Sequence, residues 1–84
     1  MAPRLTIEET IDLVEMRRLV ATGEARARRR HAGLSLSEVA ATIGVTPAAV
    51  SRWENDHRRP TRHASALAYA DLLKQLGPDD DRAS

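Results

Sequence analysis

The residues best equipped for chemistry lie between Ser35 and Arg62. Pro47, Ala48, Ala49, Ser51 and Arg52 carry small, hydroxyl or guanidinium groups, with Val50 and Trp53 set among them at the spacing of one helix face. If Val50 and Trp53 turn inward, the others form a short outward strip. Such a strip suits the edges of nucleotide bases. The alanine methyls and the Pro47 ring can touch a thymine methyl, and Ser51 can donate or accept a hydrogen bond. Arg52 can donate two hydrogen bonds to guanine O6 and N7; its other use is as a clamp on a phosphate. Groups fit for phosphate oxygens surround the strip: Thr46, Asn55, His57, Arg58, Arg59, Arg62 and the backbone N–H groups that begin a helix at Ser35.

The elements that must position them are two short helices and a tight turn, written SLSEVAATIGVTPAAVSRWEN from Ser35 to Asn55. Ser35 is an N-cap, and Glu38 three residues later completes a capping box. Val39, Ala40 and Ile43 repeat at helical spacing and give the first helix an apolar face. Gly44 stands where a helix ends in a left-handed residue, and Val45 plugs the angle between the helices. Thr46 caps the second helix, whose first residue is Pro47, where a missing N–H costs nothing.

This pattern resembles the helix-turn-helix of the phage repressor/Cro family, also called the xenobiotic-response-element family. The matching residues are Gly33-Leu34-Ser35, Glu38-Val39-Ala40, Ile43 to Thr46, Val50 to Asn55, and Arg59-Pro60, within a span from Glu24 to Leu76. The resemblance implies an all-α, lambda-repressor-like bundle of about five helices, here with an extra N-terminal helix. It also implies a structural ion pair between Arg29 and Glu54, which would withdraw Arg29 from DNA contact. Two positions depart from the family pattern. Leu36 stands where many relatives have a glutamine that touches the DNA backbone, and Asp56 stands where glycine is usual.

Composition supports a nucleic-acid face. From Glu24 to Arg62 eight arginines stand against four acids, a net +4, whereas Met1–Gly23 is −1 and His63–Ser84 is −2. The chain has 84 residues and no cysteine, which excludes a disulfide scaffold and a cysteine zinc site. A chain this short buries only about 60% of the surface its unfolded form exposes. With no Phe, and with Trp53 and Tyr69 as the sole aromatics, stacking on single-stranded bases is not expected. No apolar run approaches the roughly 20 residues of a membrane span, and no signal segment opens the chain, so a cytoplasmic location is expected.

Residues 1–5 read as a loose end and residues 6–21 as a helix capped by Thr6 and Glu9. Its apolar residues fall on two lines, Ile7–Ile11–Val14 and Leu13–Met16–Val20, with Leu19 between them and solvent. A helix apolar on two sides calls for two neighbours. The second is either a further copy of the chain or more of the same core. Residues 22–76 form the helix-turn-helix domain, in which Arg26, Arg28 and Arg30 face solvent or phosphate. Thr61 is placed to cap a last helix with a stripe of Ala64, Leu67, Ala68, Leu72, Leu73 and Leu76. Gly77-Pro78 stops it, and residues 77–84 read as a disordered acidic tail.

His31, His57 and His63 have no zinc-ligand spacing, so no metal is expected. No strand-borne nucleophile and no glycine-rich phosphate loop is present, so neither an enzyme nor a cofactor or small-molecule site is expected. The expectation is a sequence-specific regulator of double-stranded DNA, with Pro47–Asn55 as recognition helix in the major groove. It would act as a homodimer joined through residues 7–20 or 67–76, or as a monomer on one half-site. The alternative is a protein-interaction module, such as an antitoxin or accessory factor, that uses the N-terminal amphipathic helix.

Overall fold

The computed structural model describes residues 4–56, 60 and 62–77. Among these the chain forms five helices and no strand: α1 (Ile7–Thr22), α2 (Glu24–His31), α3 (Leu36–Ile43), α4 (Pro47–Asp56) and α5 (His63–Leu76). It is an all-helical bundle. Residues 1–3, 57–59, Thr61 and 78–84 lie outside the described residues.

Local signals set the helix ends. Thr6 Oγ1 accepts from the Glu9 N–H at 3.0 Å while the Glu9 carboxylate accepts from the Thr6 N–H at 2.9 Å. Gly23, at φ 86°, separates α1 from α2, a conformation in which a side chain would crowd its own backbone. Leu5, expected in the loose N-terminal end, is instead half-buried against the core.

The core draws on every helix. α1 supplies Leu13, Met16, Leu19 and Val20, α3 supplies Val39, Ala40 and Ile43, and α4 supplies Val50 and Trp53. α1 lies against α5 and α2, α3 lies against α4, and α5 also reaches α2 and α3. Leu19, expected toward solvent, is buried, because α1 turns the arc from Leu13 through Met16 to Leu19 and Val20 inward. The other apolar line of α1 stays outside.

In α5 the inward face also differs from the expected leucine stripe. Ala66, Tyr69, Ala70 and Leu73 are buried, Leu67, Ala68 and Leu72 are half-buried, and Ala64 is exposed. The small Ala66 and Ala70 line the inward face, and the Tyr69 ring fills the core beneath Trp53. The ring centroids are 5.0 Å apart at 44°. α5 begins with Arg62 at its N-cap, with no side-chain hydrogen bond closing it there.

Candidate nucleic-acid interface

The motif at the centre of the chain is α3, a three-residue turn and α4. Ser35 Oγ accepts from the Glu38 N–H at 3.0 Å, and the Glu38 carboxylate accepts from the Ser35 N–H at 2.8 Å. The Ser35 backbone N–H foremost, and the Ser35 hydroxyl after it, hold the Glu38 carboxyl below its ordinary range. At the other end of α3 the chain turns through Gly44 at φ 80°. Both Gly44 and Val45 donate their N–H to the Ala40 carbonyl, at 2.8 and 2.9 Å. Val45 then packs against the core, and Thr46 Oγ1 accepts from the Ala49 N–H at 3.2 Å. The turn is therefore closed by hydrogen bonds on both sides, and α4 starts at Pro47.

α4 has two unlike sides. Val50, Trp53 and Glu54 are buried, and Val50 has no exposed surface at all. Pro47, Ala48, Arg52, Asn55 and Asp56 are exposed, and Ser51 is half-buried. Asn55 Nδ2 donates to Ser51 Oγ at 3.0 Å, which ties two polar groups of the outer side together one turn apart. Ala49 belongs only partly to that side: it is half-buried against the core, because it sits one turn before Trp53. Asp56 is the last residue of α4.

A carboxylate holds α4 in place. Glu54 accepts from Arg29 Nε at 2.7 Å and from Arg29 Nη2 at 3.0 Å, a two-pronged pair between α4 and α2. The side chains are 3% and 13% exposed, so the pair is shielded from water. The third arm of the guanidinium, Nη1, donates to the Leu34 carbonyl at 2.8 Å. One arginine thus joins α2, the α2–α3 loop and α4, and the paired charges satisfy one another's hydrogen bonds in the interior.

The arginines of α2 divide between inside and outside. Arg26 and Arg30 are exposed. Arg28, expected at solvent or phosphate, is half-buried: its Nη1 donates to the Leu73 carbonyl of α5 at 2.9 Å and its Nε to Glu24 at 3.3 Å. That is the role of a C-terminal helix cap, placed where the helix dipole favours a cation. Its partner lies 45 residues away, so spacing alone carried no signal for it. Leu36, at the start of α3, is half-buried against the core and contributes packing there.

The phosphate candidates are distributed as follows. Ser35, Thr46 and Asn55 are exposed, their side chains already engaged in local hydrogen bonds, and Arg62 is exposed at the start of α5. His57, Arg58 and Arg59 lie outside the described residues. Among the described residues no group of three or more His, Cys, Asp or Glu could hold a metal ion. No helix there is long and apolar enough to cross a membrane.

The helix-turn-helix family model, of the phage repressor/Cro type, matches residues 26–67, from α2 into α5. The chain belongs to this family. It is therefore a helix-turn-helix protein of the class that binds double-stranded DNA and regulates transcription. No curated protein and no solved structure matches it. The match leaves out α1 and the greater part of α5, which ends at Leu76.

Proposed function

We propose that the protein is a sequence-specific repressor or Cro-like regulator that lays α4 in the major groove. The supporting observation is the division of α4. Val50, Trp53 and Glu54 are fastened inward, which leaves Pro47, Ala48, Ser51 and Arg52 on the outer side with the Asn55–Ser51 hydrogen bond. In this reading Arg52 donates to a guanine edge, Ser51 to a base edge, and Pro47 and Ala48 meet thymine methyls. Ala49, half-buried, offers only part of its methyl. Ser35, Thr46, Asn55 and Arg62, with His57, Arg58 and Arg59, hold phosphates on either side. The pair Arg29–Glu54 keeps the helix aimed and makes no contact with DNA. Two copies would read a two-fold site with half-sites about 34 Å apart.

The test is a pair of substitutions scored on fragments selected from random duplex DNA. Arg52→Ala is expected to relax base preference at one position and to weaken specific binding by about 1–3 kcal/mol. Arg58→Ala is expected to weaken all sequences alike and to reduce the salt slope by about 1. Indistinguishable behaviour of the two variants would overturn the division between base and phosphate contacts. The rival reading, a protein-interaction module, draws on the uncovered apolar line of α1.

A further inference from the structure

Ile7, Ile11 and Val14 are 85%, 61% and 55% exposed, the large hydrophobic side chains left outside among the described residues. Their spacing of four and then three residues places them on one line of α1, opposite the buried Leu13, Met16, Leu19 and Val20. Single exposed aliphatics are ordinary, but an unbroken line of three on one helix face is not. The line ends at Arg18, four residues beyond Val14, whose guanidinium bonds the Glu15 carboxylate. Ile11 also borders a groove between α1 and α5 that carries the charged Asp12, Glu15, Arg28 and Lys74, so the apolar line is bounded on that side.

We propose that this line is the seam through which two copies of the chain pair, with their α1 helices antiparallel across a two-fold axis. The charge pattern of α1 selects the occupant. Glu8, Glu9, Asp12 and Glu15 all precede Arg17 and Arg18 along α1, so its acids lie toward the N-terminal end and its bases toward the C-terminal end. A parallel copy would set acids against acids and align the helix dipoles. An antiparallel copy opposes the dipoles and brings basic ends to acidic ends. With the axis passing between Ile11 and Val14, each Ile11 meets the Val14 of the second copy. Arg18 then lies level with Ile7 of that copy, its stem covering the isoleucine and its guanidinium beside Glu8. The same four acids repel DNA and an anionic lipid surface, which removes both as occupants.

This seam deepens the two-fold reading of the DNA complex and rests on it, and its test is made without DNA so that either can fail alone. The measurement is sedimentation of the full chain over a range of concentrations, with helicity checked by circular dichroism. The wild type is expected to move from monomer to dimer as concentration rises. Ile11→Asp should keep its helicity and stay monomeric. Arg18→Glu should weaken pairing, and the double variant Glu8→Arg/Arg18→Glu should restore it. A wild type that is monomeric throughout, or an Ile11→Asp variant that dimerises like the wild type, overturns the seam. So does capture of a different protein by the stripe of a chain that stays monomeric alone. A double variant no better than Arg18→Glu overturns the antiparallel arrangement. Dimerisation lost in Ile11→Asp while neither protein selects any DNA would leave the seam standing and remove the proposed function.

Discussion

α4 takes a carboxylate inside, and α1 leaves two isoleucines and a valine outside. Each is the reverse of what burial of apolar surface favours, and each therefore marks a constraint other than stability. In α4 the inward Glu54 meets Arg29 from another helix, so the charge is neutralised and the helix is held at one angle to α2. In α1 the inward face is apolar, and the outward line is apolar as well from Ile7 to Val14, with Arg18 at its end. One region presents small polar groups on a firmly anchored helix, as a base-reading surface requires. The other presents apolar surface with no covering group of its own. Two helices of the same bundle thus suit partners of opposite chemistry.

Substitution on the inward sides is the strongest way to break that contrast. Glu54→Ala leaves the shielded Arg29 guanidinium without its carboxylate and is expected to cost about 3–5 kcal/mol, read as a lowered melting temperature. Joint replacement by Arg29→Met and Glu54→Leu should recover much of that loss. A pair of aliphatic side chains has no unpaired charge, although the Leu34 carbonyl loses a donor. If Glu54→Ala melts like the wild type, the anchoring role is wrong. Trp53→Ala opens a cavity against Tyr69 and should cost a similar amount, about 3–5 kcal/mol. Arg52→Ala, on the outer side of the same helix, should leave the melting temperature unchanged within about 0.5 kcal/mol. Equal destabilisation by Trp53→Ala and Arg52→Ala would abolish the two-sided description of α4.

A smaller effect concerns Tyr69, whose hydroxyl is buried with no hydrogen-bond partner among the described residues. Burial, with the Glu54 charge next in weight, pushes this hydroxyl well above its ordinary value of 10.0. The unfolded chain releases that proton at lower pH than the folded one. The stabilising effect of keeping the ring protonated is therefore present below pH 10 and lost as pH rises beyond it. Tyr69→Phe should match or exceed the wild type in stability at neutral pH, since no bond is broken. It should also flatten the alkaline fall in melting temperature. A steeper alkaline loss in the variant would contradict the unpartnered burial of the hydroxyl.

Much of the motif was legible before any coordinates. The ends of α1 and α3 and the start of α4 rest on groups within four residues of one another. Thr6 with Glu9, Ser35 with Glu38, Thr46 with Ala49 and the glycines at 23 and 44 are short-range signals of that kind. Trp53 and Val50 could be placed inward from period alone. Other features resisted. Arg28 looked like its exposed neighbours Arg26 and Arg30, because its partner is a carbonyl of α5. The leucines of α5 suggested a face that packing turned aside in favour of Ala66, Tyr69, Ala70 and Leu73. Hydrophobicity ranks side chains, whereas packing in a close-fitting core depends on their shapes and on what lies opposite.

By itself the sequence determined the ends of α1 and α3, the start of α4 and which side of α4 carries small polar groups, because hydrogen bonds between near neighbours act without the rest of the fold. Only the tertiary structure decided which of the two apolar lines of α1 would be covered. It also decided that Arg28 would turn to the Leu73 carbonyl and that Ala49 would lean on the core. Those choices follow from the position of α5 and α2 against α1, and from groups brought together across 25 to 45 residues of chain. No local pattern encodes such distances.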